Sequence, residues 1–217
     1  MSHSLHRFGS RESLKGDFCI YARAAKGVNR DNCGDKLRKI LAIFRSEKVV
    51  NFGSSHSGKS YAAGLDPEAY AESLDNSYGV IASFDSREAV TGVLKKLKEA
   101  DIGISIVVSG LIDEVRDIAA ECGLTLHTAT LSLGIYGKRS LLPEDEVLEL
   151  TTMCGHSLVG NSLARSAIEK VKKGVMTPQE AALALAKPCT CGIFNTTRCV
   201  KLLEKQLENK APDTSSV

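Results

Sequence analysis

The chain has 217 residues, of which 43% are hydrophobic and 25% are charged, and its formal net charge at pH 7 is +2. This length suffices for a hydrophobic core without disulfides, and the small net charge excludes strong electrostatic attraction to nucleic acid or to an acidic membrane. No apolar run approaches the roughly 20 residues that cross a bilayer, and the beginning, MSHSLHRFGSRES, lacks the apolar stretch of a secretory signal. We therefore expect a soluble, cytoplasmic protein with no nucleic-acid or membrane partner.

The first two thirds of the chain alternate between strand and helix patterns. Residues 1–15 and 210–217 are polar, and we expect both ends to be mobile. Residues 16–142 are predicted to form an α/β domain, with N-terminal β-α-β units forming a mixed sheet. The predicted strands cover 17–25, 48–52, 78–84, 102–110 and 124–133, and the predicted helices cover 31–46, 86–99 and 111–122.

The last third of the chain, residues 143–209, shows no strand pattern and is predicted to be helical. One helix is expected to begin at or near Cys154 and to run to about residue 173. TPQE at 177–180 is a capping box, and the helix that it opens should stop before Pro188. Cys189 and Cys191 would then lie in a turn that directly follows this helix.

Seven cysteines are present, and four of them follow residue 150. A reducing cytosol discourages disulfides, which leaves metal binding or catalysis as the expected use. Cys189 and Cys191 form a CxC pair that can direct both sulfurs to one metal centre. Cys154 is the best third ligand, because the start of a helix favours a thiolate. The other cysteines before residue 150, which are Cys19, Cys33 and Cys122, are expected to be buried as small hydrophobes.

The ligand type points to a soft metal, which can be zinc, copper(I) or an iron–sulfur cluster. Structural zinc usually brings CxxC pairs or a Cys/His quartet, and neither pattern is present. A [4Fe–4S] cluster held by Cys154, Cys189 and Cys191 is therefore favoured, and its open iron would act on a substrate. With Cys199 as fourth ligand the cluster would be closed, and its role would shift to structure or electron transfer. His156, beside Cys154, is the candidate proton donor.

Residues 53–60, GSSHSGKS, fit the P-loop pattern G-x-x-x-x-G-K-[ST]. Gly58 and Lys59 would then cradle a phosphate, and Ser60 would hold Mg²⁺. A true P-loop needs a long helix directly after it, whereas the following YAAGLDPEAY leaves at most a turn or two. An anion-binding or plain polar loop is favoured, in which His56 and Lys59 supply a positive edge to a substrate pocket.

Three functions follow from these motifs. The favoured one is an iron–sulfur enzyme that dehydrates, desulfurates or reduces a small anionic substrate, with an electron-donor protein as partner where electrons are needed. The first alternative is a P-loop hydrolase or kinase that binds Mg-nucleotide, its cysteines being structural or zinc ligands. The second is a non-enzymatic module with four cysteine ligands.

Overall fold

The computed structural model describes residues 6–54 and 57–208, and its central feature is a four-stranded sheet. The strands are β1 (Phe18–Arg23), β2 (Asn51–Gly53), β3 (Gly79–Phe84) and β4 (Ser105–Ser109), arranged in the order β2-β3-β1-β4. Each neighbouring pair runs antiparallel, so that Ile20 of β1 lies opposite Ala82 of β3 and Val108 of β4. The predicted α/β class is confirmed, but the predicted mixed sheet is wrong.

The helical crossovers explain why the β-α-β pattern produced an antiparallel sheet. Helix α2 (Gly34–Arg45) connects β1 to β2, and helix α4 (Arg87–Ala100) connects β3 to β4. Each crossover joins two parallel strands, but in both cases an antiparallel strand lies between them. This is the connectivity of a split β-α-β motif, and it indicates no particular function.

The remaining helices complete the two layers that cover the sheet. Ser86 caps α4, and Thr177 forms the predicted capping box at the start of the helix Pro178–Ala186, so the capping-box prediction is confirmed. In the described part of the chain no helix is long and apolar enough to cross a membrane. The bounds of these helices are α1 (Arg11–Leu14), α3 (Pro67–Ser73), α5 (Ile112–Glu121), α6 (Asp145–Thr151), α7 (Asn161–Lys172), α8 (Pro178–Ala186) and α9 (Thr196–Glu208).

The two faces of the sheet bury two separate hydrophobic clusters, because successive side chains of a strand point to opposite faces. Phe18 and Ile20 of β1 pack with residues of α2 and α4 on one face. Cys19 of β1 and Ile81 of β3 point to the other face, where they pack with residues of α6 to α9. The helical last third of the chain therefore covers one face of the sheet.

The predicted strand at 124–133 is wrong. These residues form no regular element, and most of their side chains are exposed. The segment lies beside the outer edge of β4, where residues 124–132 help to line a cavity of about 670 Å³. An alternating pattern is not sufficient for a strand, because strand propensity depends on pairing and packing.

Candidate metal centre

Cys189 and Cys191 lie in a tight turn, residues 187–193, that follows α8 and is called the CxC turn below. Pro188 ends the helix, as predicted, and the turn closes with hydrogen bonds from the Cys189 N–H to the Ala186 carbonyl at 2.9 Å and from the Gly192 N–H to the Cys189 carbonyl at 3.3 Å. The sequence-based placement of both cysteines is therefore confirmed.

The CxC turn is fixed against the edge of the sheet by close backbone contacts. Gly192 has a φ of +78°, and a Cβ there would overlap the carbonyl carbon of Phe52 in β2. A Cβ on Gly53 would come within 2.7 Å of the Thr190 carbonyl oxygen. The Ser83 hydroxyl donates to the Gly192 carbonyl at 3.3 Å. Only glycine fits at these contacts, so the sheet sets the position of the two sulfurs.

Cys154 reaches the same place from a different element than the sequence predicts. It lies in the turn after α6, with its N–H bonded to the Thr151 carbonyl at 3.1 Å, and α7 begins only at Asn161. The prediction of Cys154 at a helix start is thus wrong. Ser157 has a φ of +57°, which breaks the helix that the apolar pattern predicts. Leu158, in the same turn, is 49% exposed.

The CxC turn and the turn after α6 come together, although they are 35 residues apart in the chain from Cys154 to Cys189. The Cys189 and Cys191 sulfurs are 3.9 Å apart, and Cys191 Sγ is 3.6 Å from His156 Nδ1. Cys154 interacts electrostatically with Cys189. The three thiols are buried, whereas His156 is exposed. We call Cys154, Cys189 and Cys191 the thiol cluster.

Backbone N–H groups beside each sulfur of the thiol cluster lower the pKa of that thiol. Those of residues 156 and 158 act on Cys154, that of residue 194 acts on Cys189, and that of residue 193 acts on Cys191. Hydrogen bonds to the charged form of a group favour that form. Both turns therefore present fixed donors to thiolates.

Interactions among the three thiols determine which of them loses its proton first. The hydrogen bond with Cys189 lowers the pKa of Cys191, against the effect of burial. Cys154 lowers the pKa of Cys189, but the bond to Cys191 and burial outweigh this and raise it to about 12. The pKa of Cys154 is raised by its interaction with Cys189 and by burial. Cys191 is therefore the first of the three to ionise.

The distances in the thiol cluster can be compared with those around a single metal ion. With bonds of about 2.3 Å to sulfur and about 2.0–2.1 Å to nitrogen, a tetrahedral ion holds two sulfurs about 3.8 Å apart and a sulfur and a nitrogen about 3.6 Å apart. The observed 3.9 and 3.6 Å match these values. Yet no group of three or more His, Cys, Asp or Glu side chains in residues 6–54 and 57–208 is already arranged to hold an ion. Binding therefore requires a side-chain movement, for which the exposed 155–158 turn beside Cys154 leaves room.

A [4Fe–4S] cluster places a stricter demand on the same residues. Each iron binds its own thiolate, so ligands of different irons lie farther apart than two ligands of one ion. Cys189 and Cys191, in contact at 3.9 Å, would have to separate. Gly192 holds one side of their turn against β2, so the separation must come from side-chain rotation.

The other cysteines lie outside the thiol cluster. Cys199 is buried on α9, where burial raises its pKa and Arg198 opposes that rise; no other thiol of the described chain contributes. Cys33 and Cys122 are buried on the opposite face of the sheet, as expected of small hydrophobes. Cys19 is also buried, but it lies on the same face as the thiol cluster.

Sequence reasoning missed the side chain that contacts Cys19. Arg7 Nη2 donates to Cys19 Sγ at 2.9 Å and to the Ile193 carbonyl at 2.5 Å. Arg7 lies in a polar stretch with no motif, so the sequence carries no signal for this contact.

The segment at 53–60 adjoins the CxC turn but lacks the context of a P-loop. Gly58 and Lys59 are exposed, while Ser60 is fully buried and its hydroxyl has no hydrogen-bond partner. Only a 3₁₀ turn, Tyr61–Ala63, follows, so no helix dipole points at the loop. His56 lies outside the described residues.

The chain matches no protein-family model, no curated protein and no solved structure.

Proposed function

We propose that the protein binds a metal centre through the thiolates of Cys154, Cys189 and Cys191. One observation carries this proposal: two turns from distant parts of the chain bring three buried sulfurs together, each with backbone N–H donors. Cysteines that serve only as small hydrophobes need no such donors. Cys199 is buried on α9, and its pKa is affected by burial and by Arg198 but by no thiol of the cluster. We therefore do not include Cys199 among the ligands.

The donor set selects soft metals, and two centres with different roles fit it. A single ion such as zinc would be bound by three sulfurs and His156 in a closed site, which the short distances favour. A [4Fe–4S] cluster bound by three cysteines would supply an iron that is open to a substrate oxygen or sulfur.

With the cluster, the protein would be an enzyme for a small anionic substrate, in a dehydration, desulfuration or reduction. Residues 155–158, directly after Cys154, are exposed, so a substrate would have to approach from this side. His156 is exposed beside Cys191 and would be the proton donor in such a reaction. Nucleotide binding at 53–60 receives no such support, because no helix follows the loop.

The test is the metal content of protein purified without oxygen, followed by reconstitution with iron and sulfide or with zinc. A content near four irons and four sulfides per chain would support the iron–sulfur enzyme, and a content of one zinc per chain would support the closed zinc site. Serine variants of Cys154, Cys189 and Cys191 should lose the metal. Cys33→Ser, a buried thiol on the other face of the sheet, is the matched control. Wild-type protein that takes up neither metal contradicts the proposal.

A further inference from the structure

Three charged side chains form a buried ion network behind the CxC turn. Arg7 and Arg198 have side chains that are 7% and 2% exposed, and that of Asp17 is fully buried. The Asp17 carboxylate accepts from Arg7 at 2.7 and 2.8 Å and from Arg198 at 2.9 Å. One carboxylate is thus shared by two guanidinium groups.

Two guanidinium groups and one carboxylate leave the network with one unbalanced positive charge. This charge lies at Arg7 rather than at Arg198. Glu149 acts on Arg198, whereas Asp17 is the carboxylate that acts on Arg7. Burial raises the pKa of Cys19 to about 11, so Cys19 is a neutral thiol at pH 7 and does not balance the charge of Arg7.

The Arg7 nitrogen that does not contact Asp17, Nη2, faces the CxC turn. This nitrogen bonds to Cys19 Sγ and to the carbonyl of Ile193, whose own N–H lowers the pKa of Cys191. Cys19 lies opposite Ser83 in the sheet, and the Ser83 hydroxyl bonds to Gly192. The guanidinium therefore lies directly behind the CxC turn.

The proposed metal centre needs a positive charge near it. A divalent ion, or a [4Fe–4S] cluster in its doubly positive state, carries one net negative charge when three thiolates bind it. A buried charge is costly unless an opposite charge lies near it. Arg7 is a buried cation whose electrostatic interactions reach Cys189 of this turn.

We infer that Arg7 is a positioning residue of the metal centre, and that its buried positive charge balances the three thiolates and raises metal affinity. This inference rests on the proposed metal centre.

The experiment measures the affinity for Co²⁺, a spectroscopic substitute for zinc, by competition with a chromophoric chelator under anaerobic conditions. Arg7→Gln should weaken Co²⁺ binding at least tenfold, because it removes the charge. Arg7→Lys should recover most of the affinity, because it keeps the charge. Arg11→Gln is the matched control, since Arg11 lies in the same segment but is exposed and pairs with Asp113; it should bind Co²⁺ like the wild type.

A second variant separates the loss of charge from the loss of fold. Arg7→Gln leaves Asp17 with a single guanidinium partner, so the double variant Arg7→Gln with Asp17→Asn removes the carboxylate as well. It should fold, as judged by circular dichroism, and still bind Co²⁺ weakly. If the wild type forms an iron–sulfur cluster, Arg7→Gln should also lower its midpoint potential, because the reduced cluster is more negative.

The possible results distinguish this inference from the proposed function. Wild-type affinity in either folded Arg7→Gln protein overturns the role of Arg7 and leaves the metal centre intact. Arg7→Lys protein that binds no better than Arg7→Gln shows that geometry rather than charge matters, which also overturns it. A wild type that binds neither Co²⁺ nor zinc and forms no iron–sulfur cluster overturns the metal centre itself.

Discussion

Substituting Gly192 by alanine tests whether the sheet sets the position of the CxC turn. Two costs add at this position. A Cβ at a φ of +78° costs roughly 1–2 kcal/mol. The overlap with the Phe52 carbonyl carbon and the Gly53 nitrogen involves only backbone, so it cannot be relieved by a rotamer change, and overpacking of this kind costs about 1–3 kcal/mol. We expect the free energy of unfolding to fall by about 2–5 kcal/mol and metal affinity to fall with it.

Gly174→Ala separates these two costs. Gly174 has a φ of +69°, and nothing lies within 4 Å of an added Cβ, so this variant should lose only the roughly 1–2 kcal/mol of backbone strain and bind metal normally. The assay is urea unfolding of both metal-free variants, followed by Co²⁺ titration. If both variants lose the same stability and Gly192→Ala binds metal like the wild type, the close approach to β2 does not position the turn.

Three further results are expected. Cys199→Ser should leave the metal content unchanged while Cys154→Ser abolishes it, and equal losses in both would place Cys199 among the ligands. Metal affinity should rise with pH, because Cys154 and Cys189 have raised pKa values and each must release a proton before it binds metal; chelator competition at pH 6.5 and 7.5 would refute this by giving one affinity. Asp17→Asn should lower the free energy of unfolding by about 3–5 kcal/mol, because it removes the buried carboxylate that two guanidinium groups share; a urea midpoint near that of the wild type would contradict the buried network.

Local sequence signals predicted the helices and strands where the signal and its partner lie within a few residues. The Thr177 capping box and the Ser86 N-cap both form, because cap and recipient N–H are three residues apart. The stripe of Val90, Val93 and Leu97 is buried as an amphipathic helix requires. Pro188 also predicted the end of α8.

The same local signals did not predict which strands pair with each other. Residues 17–25 and 124–133 both alternate, yet only the first became a strand, β1, which has neighbours on both sides. The mixed sheet was predicted from alternation of strands and helices, but the order β2-β3-β1-β4 inserts an antiparallel strand into each crossover. Pairing depends on contacts between residues far apart in the chain, and no local pattern records them.

The sequence by itself determined that thiols cluster in the last third of this chain and that the CxC pair lies in a turn after a helix. Only the tertiary structure decided which partners they have: Cys154 through the turn after α6, and Arg7 behind Cys19 on β1. The physical reason is that turn formation is local, whereas the meeting of two turns requires both to pack on the same face of the sheet. That packing depends on glycines whose missing Cβ matters only where another backbone lies against it.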